Sequence, residues 1–152
     1  MMADELADLY QEIILEHSRH PRNSGKPEGA DREARGNNPL CGDRVTVYLS
    51  VGDGRIDDVG FDARGCAISI ASASMMSEML KGKTVEEAKA LFERFHALVT
   101  GAARGDDATD GLDELSALAG VRQFPTRIKC ATLAWHAMIA ATENSDQEVR
   151  TE

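Results

Sequence analysis

The feature that most constrains the fold is a strict alternation beginning at position 45. Val45, Val47, Leu49 and Val51 alternate with Thr46, Tyr48 and Ser50, the two-residue period of a half-buried strand. Gly52-Asp53-Gly54 supplies a turn, and 56–63 reads as the returning strand of an antiparallel hairpin. A third short strand fits Gly65 to Ile68. Every other patterned segment has helical spacing. Leu6, Leu9, Tyr10, Ile13 and Ile14 form a stripe that ends near His20-Pro21, where proline disfavours further helix. The chain from Asn23 to Asn38 is polar, glycine-rich and without period, and reads as a loop.

After the hairpin, helix signals dominate. Ser69 to Leu80 is expected as one helix, with Ile70, Ala73, Met76 and Leu80 near one face. Thr84-Val85-Glu86-Glu87 matches a capping box, with Thr84 as cap and Glu87 reaching back. The helix it opens carries Val85, Ala88, Leu91, Phe92, Phe95 and Val99 inward and ends at Gly101. An acidic loop follows to Gly111. Leu112, Leu115 and Leu118 mark a short helix stopped by Gly120, and Pro125 suits the first turn of a last helix bearing Ile128, Ala131, Trp135, Met138 and Ile139. Helix, hairpin, then several helices is a segregated α+β order, not the alternation of a parallel doubly wound sheet. The expectation is a small antiparallel sheet of about three strands packed with about five helices, folded as a single domain over 1–152.

Composition narrows the function classes. The net charge of −9 argues against a general nucleic-acid binder and against docking on an anionic membrane, both of which need a basic footprint. Arg127 and Lys129 are the best candidates for a local basic patch. No apolar run approaches the about 20 residues of a membrane span. The acidic opening Met1 to Glu5 lacks the basic start of a signal peptide. The expected location is therefore the cytoplasm, where thiols stay reduced. The three cysteines then read as ligands or nucleophiles rather than as a disulfide framework.

Those cysteines sit in Leu40-Cys41-Gly42-Asp43, Arg64-Gly65-Cys66 and Ile128-Lys129-Cys130, each at a boundary between elements. An isolated cysteine is most often a small buried hydrophobe. Here Cys41 and Cys66 adjoin glycine, and Cys41 shares its turn with a carboxylate. There is no CxxC pair, so the spacing is not that of a zinc finger. If Cys41, Asp43, Cys66 and Cys130 converge, three thiolates and a carboxylate suit tetrahedral Zn²⁺, and the same donors suit an iron–sulfur cluster. Arg127 or Lys129 would offset the excess negative charge. His17 and His136 lie on or beside helical stripes and read as packing or surface residues. Met75, Met76 and Met79 read as core filler, and Arg104-Gly105-Asp106 as a chance tripeptide.

Three long motifs in order carry a resemblance. Asn38-Pro39-Leu40-Cys41-Gly42-Asp43, the run from Gly65-Cys66 to Met75-Met76, and the run from Phe124-Pro125 to Ala134-Trp135 resemble the SufU branch of the IscU/NifU-N iron–sulfur assembly family. The stretch from Leu9-Tyr10 to His20-Pro21-Arg22-Asn23 resembles it too. The resemblance implies a cytoplasmic sulfurtransferase that works with a SufS-like, pyridoxal-phosphate cysteine desulfurase and with downstream Suf assembly proteins. It places Cys41, Asp43, Cys66 and Cys130 on the zinc-ligand positions and Cys41 on the sulfur-accepting position. IscU-type scaffolds, which assemble a [2Fe–2S] cluster, carry histidine before the last cysteine and a Leu-Pro-Pro-Val-Lys chaperone motif. Here Lys129 and the sequence Phe124-Pro125-Thr126-Arg127-Ile128 stand there instead. The segment from Gly101 to Gly120 resembles a SufU insertion. The expected mechanism has a ligand from the docked desulfurase release Cys41 for attack on a persulfide.

Overall fold

The computed structural model of the protein describes residues 2–40, 42–102, 112–143 and 149–150, with side chains from 11 onward except 113, 114 and 150. Cys41, the loop from 103 to 111 with Arg104-Gly105-Asp106, and the side chains of Leu6, Leu9 and Tyr10 lie outside that set. The chain order is α1 (Met2–Arg19), β1 (Arg32–Asn38), β2 (Asp43–Gly52), β3 (Arg55–Arg64), α2 (Ala67–Leu80), α3 (Val85–Thr100), a 3₁₀ segment (Asp113–Gln123), α4 (Pro125–Thr142) and β4 (Val149–Arg150). The sheet order is β3-β2-β1-β4. The first three strands are antiparallel, and two-residue β4 adds in parallel to β1. Five helical segments and an antiparallel trio of strands match the expected α+β architecture.

The hairpin forms for the anticipated reason. Asp53 and Gly54 both take positive φ, 55° and 75°, the two-residue turn whose twist matches the flanking strands. Val45, Val47 and Leu49 from β2 meet Val59 and Phe61 from β3 on the buried face. Each such side chain, fully buried, contributes about 1.5–3 kcal/mol relative to exposure. Helices α2 and α4 pack on that face. Both are buried nearly all round, which marks central helices rather than surface ones. Trp135 of α4 stacks on Phe95 of α3 at 4.9 Å, and its indole N–H donates to Ser72 Oγ at 3.1 Å. Met75 and Met76 are core residues, as expected. Among the described residues no helix is long and apolar enough to cross a membrane.

Three local readings are corrected. The loop expected over Asn23 to Asn38 ends in β1, whose inward positions are Ala34, Gly36 and Asn38. Those residues carry no hydrophobic alternation. Gly36 is small because a Cβ there would lie 2.9 Å from Leu133 Cδ1, so α4 crosses against bare backbone. Gly65 to Ile68 is not a strand: Gly65 turns the chain at φ +136° and α2 begins at Ala67, ahead of Ser69. The helix expected to stop at Gly120 is a 3₁₀ run to Gln123. Leu112, Leu115, Leu118 and Val121, all buried, recur every three residues, the 3₁₀ repeat.

The capping box forms as anticipated. Glu87 N–H donates to Thr84 Oγ1 at 3.1 Å, and Thr84 N–H donates to Glu87 Oε1 at 2.9 Å. Gly101 closes α3 in the left-handed region.

Candidate metal centre

Three of the sequence-predicted residues meet at one end of the sheet. Asp43 opens β2 immediately after Gly42, which turns at φ +72°. Its register opposite Asn38 aims the carboxylate inward, where it is fully buried. Gly65, between β3 and α2, brings Cys66 against that carboxylate. The Cys66 N–H donates to Asp43 Oδ1 at 2.8 Å, and Cys66 Sγ lies 3.5 Å from Oδ2. A Cβ at Gly65 would fall 2.0 Å from Asp43 Oδ1. Glycine here is a steric requirement of the site as well as a conformational one.

Cys130 arrives from the first turns of α4, which Pro125 starts. Its sulfur is buried and 3.7 Å from the Thr126 carbonyl oxygen one turn earlier. One ligand atom from each of Asp43, Cys66 and Cys130 lies within 4.8 Å of the others. Cys41 lies outside the described residues. On either side of it, Leu40 and Gly42 are exposed, and the chain turns inward at Asp43.

The donors fit a tetrahedral ion. Zinc bonds of about 2.3 Å to sulfur and about 2.0 Å to a carboxylate oxygen, at the tetrahedral angle, separate those two atoms by about 3.5 Å, which is the Cys66–Asp43 spacing. Of the two cations considered as a counter-charge, Arg127 interacts with both thiols. A hydrogen bond with the Cys130 side chain and the charge of Cys66 hold its guanidinium still more firmly protonated than usual. Lys129 is half-buried and lines a small cavity of about 360 Å³ with Asn38, Leu40, Thr126 and Arg127.

A larger open groove of about 750 Å³ lies against Cys66 and Arg127, walled by Ile14, Leu15, Ile68, Val121 and Phe124 among others. Phe124 is 59% exposed. No sequence pattern marks this groove, because its wall is assembled from four separate helical segments. In the sequence Gly65 reads as a neighbour of Cys66 and as the start of a short strand; no local pattern says that a carboxylate will press on it.

The histidines stand apart from this centre. His17 is buried, with Nδ1 2.8 Å from Ser74 Oγ. The same hydroxyl accepts the Arg22 N–H at 2.9 Å, so the end of α1 and the following turn are tied to α2. His136 is half-buried beside Phe92 and His96. Burial, then the neighbouring His96, lowers its pKa.

An α+β protein with two thiols and a carboxylate gathered at one end of its sheet is the class these features define. Residues 9–148 match the NifU-like N terminal domain, and the chain belongs to that family. It is 41% identical over 133 residues to the zinc-dependent sulfurtransferase SufU of Bacillus subtilis, covering 88% of each chain. It is 39% identical over 145 residues to the iron–sulfur cluster assembly scaffold protein IscU of Streptococcus pyogenes, covering 95% of this chain and 89% of that one. Among solved structures, the N-terminal part of a nitrogen-fixing NifU-like protein from Brucella abortus superposes with a TM-score of 0.77 at 26% identity, over 90% of this chain and 94% of that one.

Proposed function

We propose that this protein is a zinc-dependent sulfur-transfer protein of iron–sulfur cluster assembly, which accepts persulfide sulfur on Cys41 from a cysteine desulfurase. The observation that carries the reading is the convergence of Asp43, Cys66 and Cys130 with spacing suited to a tetrahedral ion. Cys41 would complete the set, and Cys66, Cys130 and Asp43 would anchor it. Bound zinc keeps its thiols deprotonated at neutral pH. Gly65 lets the Asp43 carboxylate sit flush against the chain, and Arg127 offsets the accumulated negative charge.

The transfer itself is thiol exchange. The Cys41 thiolate attacks the outer sulfur of the desulfurase persulfide. A new S–S bond forms at Cys41 as the enzyme's own S–S bond breaks, and the electron pair leaves on the enzyme's cysteine thiolate. Leu40 and Phe124 stand exposed beside the centre, where a partner presenting that persulfide would cover them. The SufU name of the Bacillus relative supports transfer, as does Lys129 in the place where IscU-type scaffolds carry histidine.

A second reading, a scaffold on which a [2Fe–2S] cluster is assembled and handed on, is favoured by the match to the Streptococcus relative over 95% of this chain. Elemental analysis of the purified protein and a desulfurase assay separate the two. Transfer predicts colourless protein with one zinc per chain, and loss of desulfurase stimulation in Cys41→Ser without added reductant. Brown protein with stoichiometric iron and sulfide supports the scaffold. Unchanged stimulation by Cys41→Ser removes the sulfur-accepting role from Cys41.

A further inference from the structure

One row of backbone partners crosses the sheet beside the candidate centre. Arg64 of β3 stands opposite Arg44 of β2, Arg44 opposite Asn37 of β1, and Asn37 opposite Arg150 of β4. Asp43 points into the core, so its strand neighbour Arg44 points out on the opposite face, and Arg64 shares that face. Both arginines are exposed. Like charges on directly opposed strand positions destabilise a sheet.

Among the described residues neither Arg44 nor Arg64 forms an ion pair. The nearest acids on the same face make their direct contacts with other residues. Asp62 accepts the Tyr48 hydroxyl at 2.9 Å, and Glu33 lies 3.9 Å from Arg35 and 4.0 Å from Lys26. Excess base is not a general property of a chain with net charge −9. Arg44 follows Asp43 directly, and Arg64 precedes Cys66 by two residues. The costly pair therefore borders the centre on the sheet side, while the apolar groove borders it on the helix side.

We propose that Arg44 and Arg64 dock a carboxylate-rich edge of the protein that delivers sulfur to Cys41, while apolar side chains of that partner enter the groove at Leu15 and Phe124. The inference rests on the sulfur-transfer reading and adds the chemistry of the partner's face. Charge complementarity selects the occupant. The arginines lie on an open sheet face, not in a pocket that could enclose a small anion. They gain most when a protein surface covers them and removes solvent screening.

The test is desulfurase turnover measured against the concentration of the full-length protein, at low and at moderate salt. The unaltered protein is compared with Arg44→Ser/Arg64→Ser and with Arg55→Gln. Arg55 lies nine residues from Arg64 on the same strand, about 30 Å away. For the double variant the half-saturating concentration should rise about ten-fold at low salt, with the maximal rate kept within about two-fold. Salt should raise the half-saturating concentration of the unaltered protein and of Arg55→Gln, and should barely move that of the double variant. The double variant should melt no lower than the unaltered protein, since an opposed like-charge pair is gone.

An unchanged half-saturating concentration with an unchanged salt response overturns the proposal. So does a fall in maximal rate alone, which would mean a damaged centre. Binding of a short DNA duplex that disappears in the double variant while turnover is untouched reassigns the row to nucleic acid. If the unaltered protein fails to stimulate any desulfurase, the sulfur-transfer reading falls and the docking proposal falls with it.

Discussion

The two ends of the same sheet are built on opposite terms. At the hairpin end, backbone groups interlock: Val85 N–H donates to the Gly54 carbonyl at 2.9 Å, Ile56 N–H to Lys83 at 2.8 Å, and Gly82 N–H to Ile56 at 2.8 Å. Arg55 donates to the Gly82 carbonyl, Lys81 pairs with Asp58 at 3.3 Å, and the capping box starts α3. At the other end, arginines face each other, Leu40 and Phe124 stand exposed, and Cys66 caps α2 without a side-chain bond. One end satisfies its own groups; the other holds thiols, charge and apolar surface ready for something else. Stability and chemistry are thus assigned to separate ends, and substitutions should separate accordingly.

The largest effect should come from Gly65→Ala. The added methyl meets the Asp43 carboxylate, and a φ of +136° strains any side chain. A cost of ~1–3 kcal/mol is expected, together with loss of zinc from the purified protein, read by a thermal melt and elemental analysis. Retention of one zinc per chain would show that Asp43 can move aside without consequence.

Arg127→Leu should come next. Removing the group that hydrogen-bonds Cys130 should cost about 10–100-fold in zinc affinity or sulfur transfer, the usual effect of losing a partner of a metal ligand. A competition titration with a chelator reads it, and the melting curve of the zinc-free protein should stay in place because Arg127 is exposed.

At the opposite end, Thr84→Ala should cost about 0.5–2 kcal/mol of stability through the lost cap, with sulfur transfer at 25 °C unchanged. A transfer defect at full folding would break the separation of the two ends.

The smallest effect concerns pH. Burial holds His136 below the ordinary imidazole range, with His96 adding to the shift, so the fold favours the neutral ring. The unfolded chain takes up that proton first as pH falls below the ordinary value of about 6.5, and stability then declines until the folded-state pKa is passed. His136→Gln should flatten this part of the melting-temperature profile. An equally steep profile would place the titrating group elsewhere.

Legibility in the sequence followed the same division. The hairpin could be read because Val45 to Val51 alternate and Asp53-Gly54 suits one turn type. The capping box could be read because it is local. Strand β1 could not, because its inward residues are chosen for the space left by Leu133 and for Asn38, whose side chain accepts the Leu40 N–H at 3.2 Å. The 3₁₀ segment shows in the sequence as a leucine period of three, a spacing that an ordinary helix also accommodates. At the centre, residue chemistry and motif order named Asp43, Cys66 and Cys130. The contact of Gly65 with a carboxylate 22 positions away, the tie of His17 to Ser74 and the groove beside Cys66 exist only through tertiary packing.

The central claim is that the unsatisfied end of the sheet exists to receive sulfur on Cys41. Its most direct test is to incubate the zinc-loaded protein with a cysteine desulfurase and cysteine, block thiols and persulfides with an alkylating reagent, and map the peptides by mass. The account predicts one additional sulfur atom on the peptide bearing Cys41 and none on those bearing Cys66 or Cys130. An unmodified Cys41, or sulfur spread equally over the three cysteines, would contradict it.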